Sequence, residues 1–215
     1  RNIFSIYTSN IVSIQLQVAF ISAGQTIETR NVYNGSTISN LPVPVNKGNQ
    51  FGGWYNNSSF TGTPYQNGRL WESENNLQAY AKWISIPYTI TLDANGGSLQ
   101  GSNTINNITY GNSFSTTSTV SRIGYTFEGW YDDPTDGKKY MTTSGQSIDG
   151  WDKESNATLY ARWAVENYEI QINDNGSIVW LGASGLSDTS CSIEYGTILS
   201  AINLVPTFKA SDHGF

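Results

Sequence analysis

Apolar and polar residues alternate in three short segments of the chain, at Val12–Leu16, Tyr88–Leu92 and Tyr168–Ile172. This period of two predicts β-strands that bury one face. Asn95-Gly96 and Asn175-Gly176 follow the second and third segments and predict hairpin turns, because both residue types tolerate positive φ. No long stretch shows helical periodicity, so the pattern predicts a mostly β protein.

The same blocks of sequence occur more than once. The stretch from Trp71 to Trp83 matches Trp151 to Trp163 without a gap, and Gly48–Tyr55 matches Gly124–Tyr131. Ile108-Thr109-Tyr110-Gly111 recurs as Ile193-Glu194-Tyr195-Gly196, where a further copy has begun. Repetition at this period is typical of tandem modules.

The alignment of the blocks predicts four segments, separated by four-residue linkers. Residues 12–83 form the first repeat and residues 88–163 the second. Residues 1–7 are interpreted as the last strand of a preceding repeat, and residues 168–215 as a truncated third repeat. We therefore expect neighbouring repeats of the same chain to be partners of one another.

Composition narrows the function classes. The net charge is -6 and the sequence pI about 4.6, which opposes binding to a phosphate backbone. No apolar run approaches the ~18 residues of a membrane-spanning helix. The chain has 21 Gly, 13 Tyr and 7 Trp but a single Cys, a profile typical of β-rich surface proteins that lack disulfides. We expect no nucleic-acid partner and no membrane insertion.

Two motifs carry a resemblance to a known family. The chain has Gly-x-x-Phe-x-Gly-Trp-Tyr at Gly48–Tyr55 and Gly124–Tyr131, and a closing Tyr-Ala-Lys/Arg-Trp at Tyr80–Trp83 and Tyr160–Trp163. With the opening strand and turn at Tyr88–Gly97, these residues resemble the Listeria-Bacteroides repeat, or internalin-type B repeat, of bacterial surface proteins. The first repeat departs from the family pattern after Leu16, where Gln17 to Ala23 replaces the Asp-Ala-Asn-Gly-Gly turn.

The resemblance implies an α+β, mostly β fold of tandem small β-grasp-like (ubiquitin/SUMO-like) modules. It places a short helix at Ser113–Val120 and at the equivalent Thr37–Pro44. Both segments are poor helix formers, because Pro42 and Pro44 interrupt one and β-branched residues fill the other.

The tryptophans could either pack in a core or bind a ligand such as a sugar ring. Six of the seven lie at repeat-equivalent positions, where they favour packing of a small core over stacking against sugars: Trp54, Trp71, Trp83, Trp130, Trp151 and Trp163. The closing Trp83 and Trp163 are expected to plug the cores. Trp180 has no tryptophan equivalent in the other repeats, and we predict it as the candidate ligand-binding residue, against the alternative of packing.

The sequence gives little support for a metal site or for catalysis. Asp132, Asp133 and Asp136 precede Gly137 in a loop that could bind calcium, but a solvated turn is favoured because the first repeat has no acid there. Cys191 has no basic neighbour in sequence, and His213 is the sole histidine. We predict no catalytic residue, no metal site and no cofactor.

Together these features predict a non-catalytic repeat region of an extracellular bacterial protein at the cell surface or cell wall. Its role would be an adhesin stalk, a spacer, or a module that binds a protein or glycan ligand on a host or neighbouring cell. The alternative is a carbohydrate-binding accessory module of a secreted enzyme.

Overall fold

The structure is a computed structural model that describes residues 14–73, 75–172, 178–181 and 190–196. Within these ranges the regular elements are all strands, and none of the described residues is helical. The described residues fall into two compact units. Unit 1 lies within Arg1–Tyr88, Asn107–Asn112 and Trp151–Ser155, and unit 2 within Thr89–Asn106, Ser113–Gly150 and Asn156–Phe215.

The first repeat forms one mixed sheet and one small two-stranded antiparallel sheet. The four-stranded sheet has the order β2-β1-β6-β4, and β3 pairs with β5 in the small sheet. The strands are β1 (Gln15–Ser22), β2 (Gln25–Tyr33), β3 (Ser36–Ile38), β4 (Asn49–Tyr55), β5 (Arg69–Trp71) and β6 (Leu77–Ser85).

The second repeat builds a larger version of the same arrangement. Its five-stranded sheet has the order β12-β11-β13-β7-β9, and β8 pairs with β10. The strands are β7 (Tyr88–Asp93), β8 (Ser98–Gln100), β9 (Thr104–Ile108), β10 (Thr119–Ser121), β11 (Tyr125–Tyr131), β12 (Lys139–Met141) and β13 (Ala157–Val165). After them, β14 (Asn167–Ile172), β15 (Ile178–Leu181) and β16 (Ser190–Glu194) form a sheet with the order β15-β14-β16.

The first and last strands of each repeat are parallel neighbours. β1 pairs with β6 from Val18↔Leu77 to Ile21↔Tyr80, and β7 pairs with β13 from Ile90↔Ala157 to Asp93↔Tyr160. The pairs β1–β2, β4–β6, β11–β12 and β11–β13 are antiparallel. Each repeat is therefore closed by a contact between its two ends, which lie far apart in sequence.

Alternation along the central strands directs one set of side chains into each core. In β1, Leu16, Val18 and Phe20 are buried while the residues between them are more exposed. Trp54 of β4 packs edge-on against Phe20, with ring centroids 5.0 Å apart. The core of the second repeat has the equivalent composition, with buried Ile90, Leu92, Trp130, Met141 and Leu159.

The first repeat opens with a β-hairpin, although it lacks the Asp-Ala-Asn-Gly-Gly turn. β1 and β2 turn at Ala23-Gly24, both with positive φ, and the pair carries a register shift between Phe20 and Ile21. In the second repeat Asn95 and Gly96 also have positive φ, and the Gly97 amide donates to the Ala94 carbonyl at 2.9 Å, so the predicted turn is present. The predicted hairpin is not formed, because β8 pairs with β10 and not with β7.

The α+β class is corrected by the structure, which is all-β over the described residues. The expected helix at Ser113–Val120 is an irregular segment that bridges Ser115 to Gln146 and enters β10. At Thr37–Pro44 the chain leaves β3 and stays irregular. Proline removes backbone donors and β-branched residues lose rotamer freedom in a helix, so both sequences favour extended backbone. The β-grasp assignment and the predicted domain boundaries stay predictions.

We expect Trp130→Ala to destabilise the second repeat by about 3 to 5 kcal/mol, because it leaves a large cavity in a small core. The free energy of unfolding in denaturant measures this loss. Ile123→Ala is the matched control, since Ile123 is 82% exposed, and should change stability by less than about 0.5 kcal/mol. Equal effects of the two substitutions would contradict the packing role of Trp130.

Candidate functional site

Four of the six repeat-equivalent tryptophans are buried, as the packing interpretation predicts. Trp54, Trp71, Trp130 and Trp151 are at most 2% exposed. A sugar ring needs an open aromatic face for stacking, so these four side chains are unavailable as a binding platform.

The closing tryptophans, Trp83 and Trp163, are only partly buried, so they are not enclosed in the cores. Trp83 nevertheless packs against the buried core of the first repeat. The Trp163 indole packs against Phe127 at a centroid distance of 5.4 Å and donates a hydrogen bond to the carbonyl of Ala94 at 3.0 Å. A Cβ on Gly97 would lie 2.5 Å from this ring, so the turn after β7 needs glycine there. The ring thus covers the turn of its own repeat.

Trp83 differs because the first repeat lacks this turn. Its indole Nε1 is buried and has no hydrogen-bond partner in the described part of the chain. Phe51 packs against the ring at 5.7 Å, the counterpart of the contact between Phe127 and Trp163. The departure of the sequence after Leu16 therefore removes the acceptor while the ring contact remains.

The acidic loop between β11 and β12 uses its carboxylates for its own backbone. The Asp133 Oδ1 accepts from the amides of Thr135 and Asp136, each at 2.9 Å. Asp132 Oδ1 accepts from the Lys138 amide at 2.8 Å. Hydrogen bonds from these loop amides, first from Asp136 and then from Thr135, hold the pKa of Asp133 below its ordinary value.

The first repeat achieves the same loop geometry with a neutral residue. Asn57, equivalent to Asp133, accepts from the amides of Ser59 and Thr61 through its Oδ1 at 3.1 and 3.2 Å. Because an amide oxygen replaces the carboxylate, the loop requires an acceptor and not a charge. The sequence showed this equivalence in the alignment, but only the structure assigns the capping role.

Across the described ranges, no group of three or more His, Cys, Asp or Glu side chains could hold a metal ion. Two surface grooves are present in the first repeat. One, of about 450 Å³, is lined by Asn34, Gly35, Glu72 and Ser73. The other, of about 370 Å³, is lined by Asn56, Asn57, Thr61, Gly62, Thr63 and Arg69. Neither lining combines a nucleophile with a histidine or cysteine.

Trp180, Cys191 and His213 are the remaining residues singled out in the sequence. Trp180 lies in β15 opposite Ile170 of β14, and Cys191 in β16 also opposes Ile170. The side chains of Trp180 and Cys191, and all of His213, lie outside the described residues. The ligand-binding role of Trp180 stays a prediction.

Comparison with known proteins agrees with the motifs on these strands. The model of the Listeria-Bacteroides repeat domain matches residues 17–82 and 88–162. The chain belongs to this repeat family. The two matches begin within β1 and end within β13, and they include the paired residues of both parallel closures.

Two relatives illustrate where the repeat occurs. A protein of Evansella cellulosilytica named "Putative Gly-rich membrane protein" is 30% identical over 74% of this chain and 17% of its own length. Internalin H of Listeria monocytogenes is 30% identical over 56% of this chain and 20% of its own length. The chain thus spans a fifth or less of these relatives. No helix among the described residues is long and apolar enough to cross a membrane.

We expect the Asp133 carboxyl to titrate below the ordinary aspartate pKa of about 3.9, because the amides of Asp136 and Thr135 stabilise its charged form. A depressed folded pKa means that its contribution to stability is present above the unfolded pKa and lost as pH falls through the folded pKa. Carboxyl-detected NMR titration measures this value. A midpoint at or above the ordinary pKa would contradict the capping role.

We expect calcium and chelator to leave the melting temperature of the chain unchanged, because the loop carboxylates already accept loop amides and Asn57 performs the same task without charge. Thermal unfolding with millimolar calcium or with chelator tests this. A calcium-dependent rise that disappears in Asp133→Asn would show a site after all.

Proposed function

We propose that this chain is a non-catalytic, tension-bearing repeat region of an extracellular bacterial surface protein, used as a stalk or spacer. The family assignment and the relative named internalin H support a place in a surface protein. The strand order and the parallel central pair support a β-grasp-like module that has lost its helix.

The parallel closure of each repeat carries the mechanical part of the proposal. The second repeat begins with β7 and ends with β13, and these strands run parallel with Ile90 opposite Ala157 and Asp93 opposite Tyr160. A force that pulls the two ends of the repeat apart acts along these strands and shears their hydrogen bonds. Individual hydrogen bonds are weak, but bonds loaded in shear must fail together.

The antiparallel pair β11–β13 provides an internal comparison. Tyr125, at the start of β11, lies opposite Val165, at the end of β13. A force that separates these two residues opens the pair from one end, one hydrogen bond at a time. The same repeat therefore offers a strong and a weak pulling direction.

Single-molecule force spectroscopy tests the proposal, with attachment through cysteines in a Cys191→Ser background. We expect the variant Ile86→Cys/Val165→Cys, which shears β7 against β13, to unfold at a clearly higher force than Ile123→Cys/Val165→Cys, which unzips β11 from β13. The three attachment residues are exposed, so the substitutions disturb the core little. Equal unfolding forces in the two directions would remove the basis for a load-bearing stalk.

A binding role is the competing function, either as an adhesin or as a carbohydrate-binding accessory module. Trp180 is its candidate residue, because four tryptophans are fully buried and the partly buried Trp83 and Trp163 already pack against Phe51 and Phe127. A glycan array probed with the whole chain and with Trp180→Ala separates the two roles. Saturable binding that is lost in the variant supports a carbohydrate-binding module, and no binding by either protein supports a spacer.

A further inference from the structure

Two turns, one from each repeat, have the same unusual feature of a buried glycine. The first turn is closed by a hydrogen bond from the Asn49 amide to the Asn46 carbonyl at 3.0 Å, and the second from Tyr125 to Arg122 at 3.2 Å. Gly48 has a φ of 69° and the equivalent Gly124 a φ of 77°. Both glycines are buried, although turns usually lie on the surface.

A tyrosine covers each of these glycines at very short range. A Cβ on Gly48 would lie 2.0 Å from the Tyr110 Cβ, within unit 1. A Cβ on Gly124 would lie 2.0 Å from the Tyr195 Cγ, within unit 2. Tyr110 and Tyr195 are equivalent residues of the Tyr-Gly pairs, and each belongs to the repeat that follows its glycine in sequence.

Polar contacts fix the backbone of the same turns. The Gly48 amide donates to the Glu154 carboxylate at 2.9 Å, a charge-assisted bond between residues of the first and second repeats. The Gly48 carbonyl accepts from the Ile86 amide, and the Gly124 carbonyl from the Glu166 amide, each at 2.9 Å. The Tyr195 amide in turn donates to the Glu166 carbonyl at 3.0 Å.

The positive φ does not explain the burial. Gly35, Gly68 and Gly111 have φ values of 78°, 78° and 79°, yet a Cβ on any of them would meet nothing within 4 Å. Turn geometry alone therefore favours glycine at all five positions, but only Gly48 and Gly124 are pressed against another side chain.

We propose that the glycine turn is a docking element, and that its partner is the Tyr-Gly turn and acidic side chain of the following copy of the repeat. The missing Cβ lets the tyrosine side chain of one repeat lie on the backbone of the previous one, so consecutive repeats stabilise each other. This goes beyond the proposed stalk function and does not depend on it, because the contact would also form in an array that binds a ligand.

A double-mutant cycle on the whole chain tests the contact. Gly68→Ala is the matched control, because its φ is close to that of Gly48 and its surroundings are open. We expect Gly48→Ala to lower the midpoint of thermal unfolding by at least about 4 °C more than Gly68→Ala. Adding Tyr110→Gly to Gly48→Ala should cancel most of this excess loss, because it removes the Tyr110 Cβ that the new methyl group would meet at 2.0 Å.

Hydrogen exchange shows whether the contact couples the repeats. We expect Tyr110→Ala, a change in the second repeat, to reduce the protection of β4 and β6 amides in the first. If Gly48→Ala alone prevents folding, the recovery of the double variant and the hydrogen exchange of Tyr110→Ala still test the contact. The proposal is overturned if Gly48→Ala behaves like Gly68→Ala, if the double variant shows no recovery, or if Tyr110→Ala leaves first-repeat protection unchanged.

Discussion

The parallel pairing of the first and last strands holds each repeat of this chain together. β1 lies beside β6, and β7 beside β13, at the centre of their sheets. Such a pair joins residues about as far apart in sequence as the repeat allows. The entropy cost of closing so long a loop is offset only when the whole sheet forms. The flanking strands, the buried face and the positions of both closing tryptophans depend on this pair.

Large aromatic residues give so small a sheet enough buried surface. Trp54 and Phe20 meet in the first repeat, while Trp130 and Phe127 meet at a centroid distance of 5.5 Å in the second. A small module buries a limited share of its surface, and each aromatic ring buries more apolar area than an aliphatic side chain. The repeat can therefore vary its loops while keeping one pattern of rings.

The loops show how that variation is accommodated. Asn57 and Asp133 hold equivalent loops by accepting backbone amides, and the exchange of amide for carboxylate alters charge without altering this role. In contrast, the loss of the Asp-Ala-Asn-Gly-Gly turn from the first repeat leaves the Trp83 indole without the acceptor that Trp163 finds in Ala94. Sequence changes in the loops thus have local consequences, while the shared strand order is unchanged.

The sequence by itself determined the repeats, the family, the strand character of Tyr88–Leu92 and the turn at Asn95-Gly96, because each of these depends on residues close together in the chain. It also carried the evidence against a helix, in Pro42, Pro44 and the β-branched residues of Ser113–Val120, although the family resemblance pointed the other way. Only the tertiary structure decided that Trp83 and Trp163 are partly exposed and that Gly48 lies under Tyr110. A glycine at positive φ has the same local signature whether its turn is open or covered, since the covering side chain comes from a distant part of the chain.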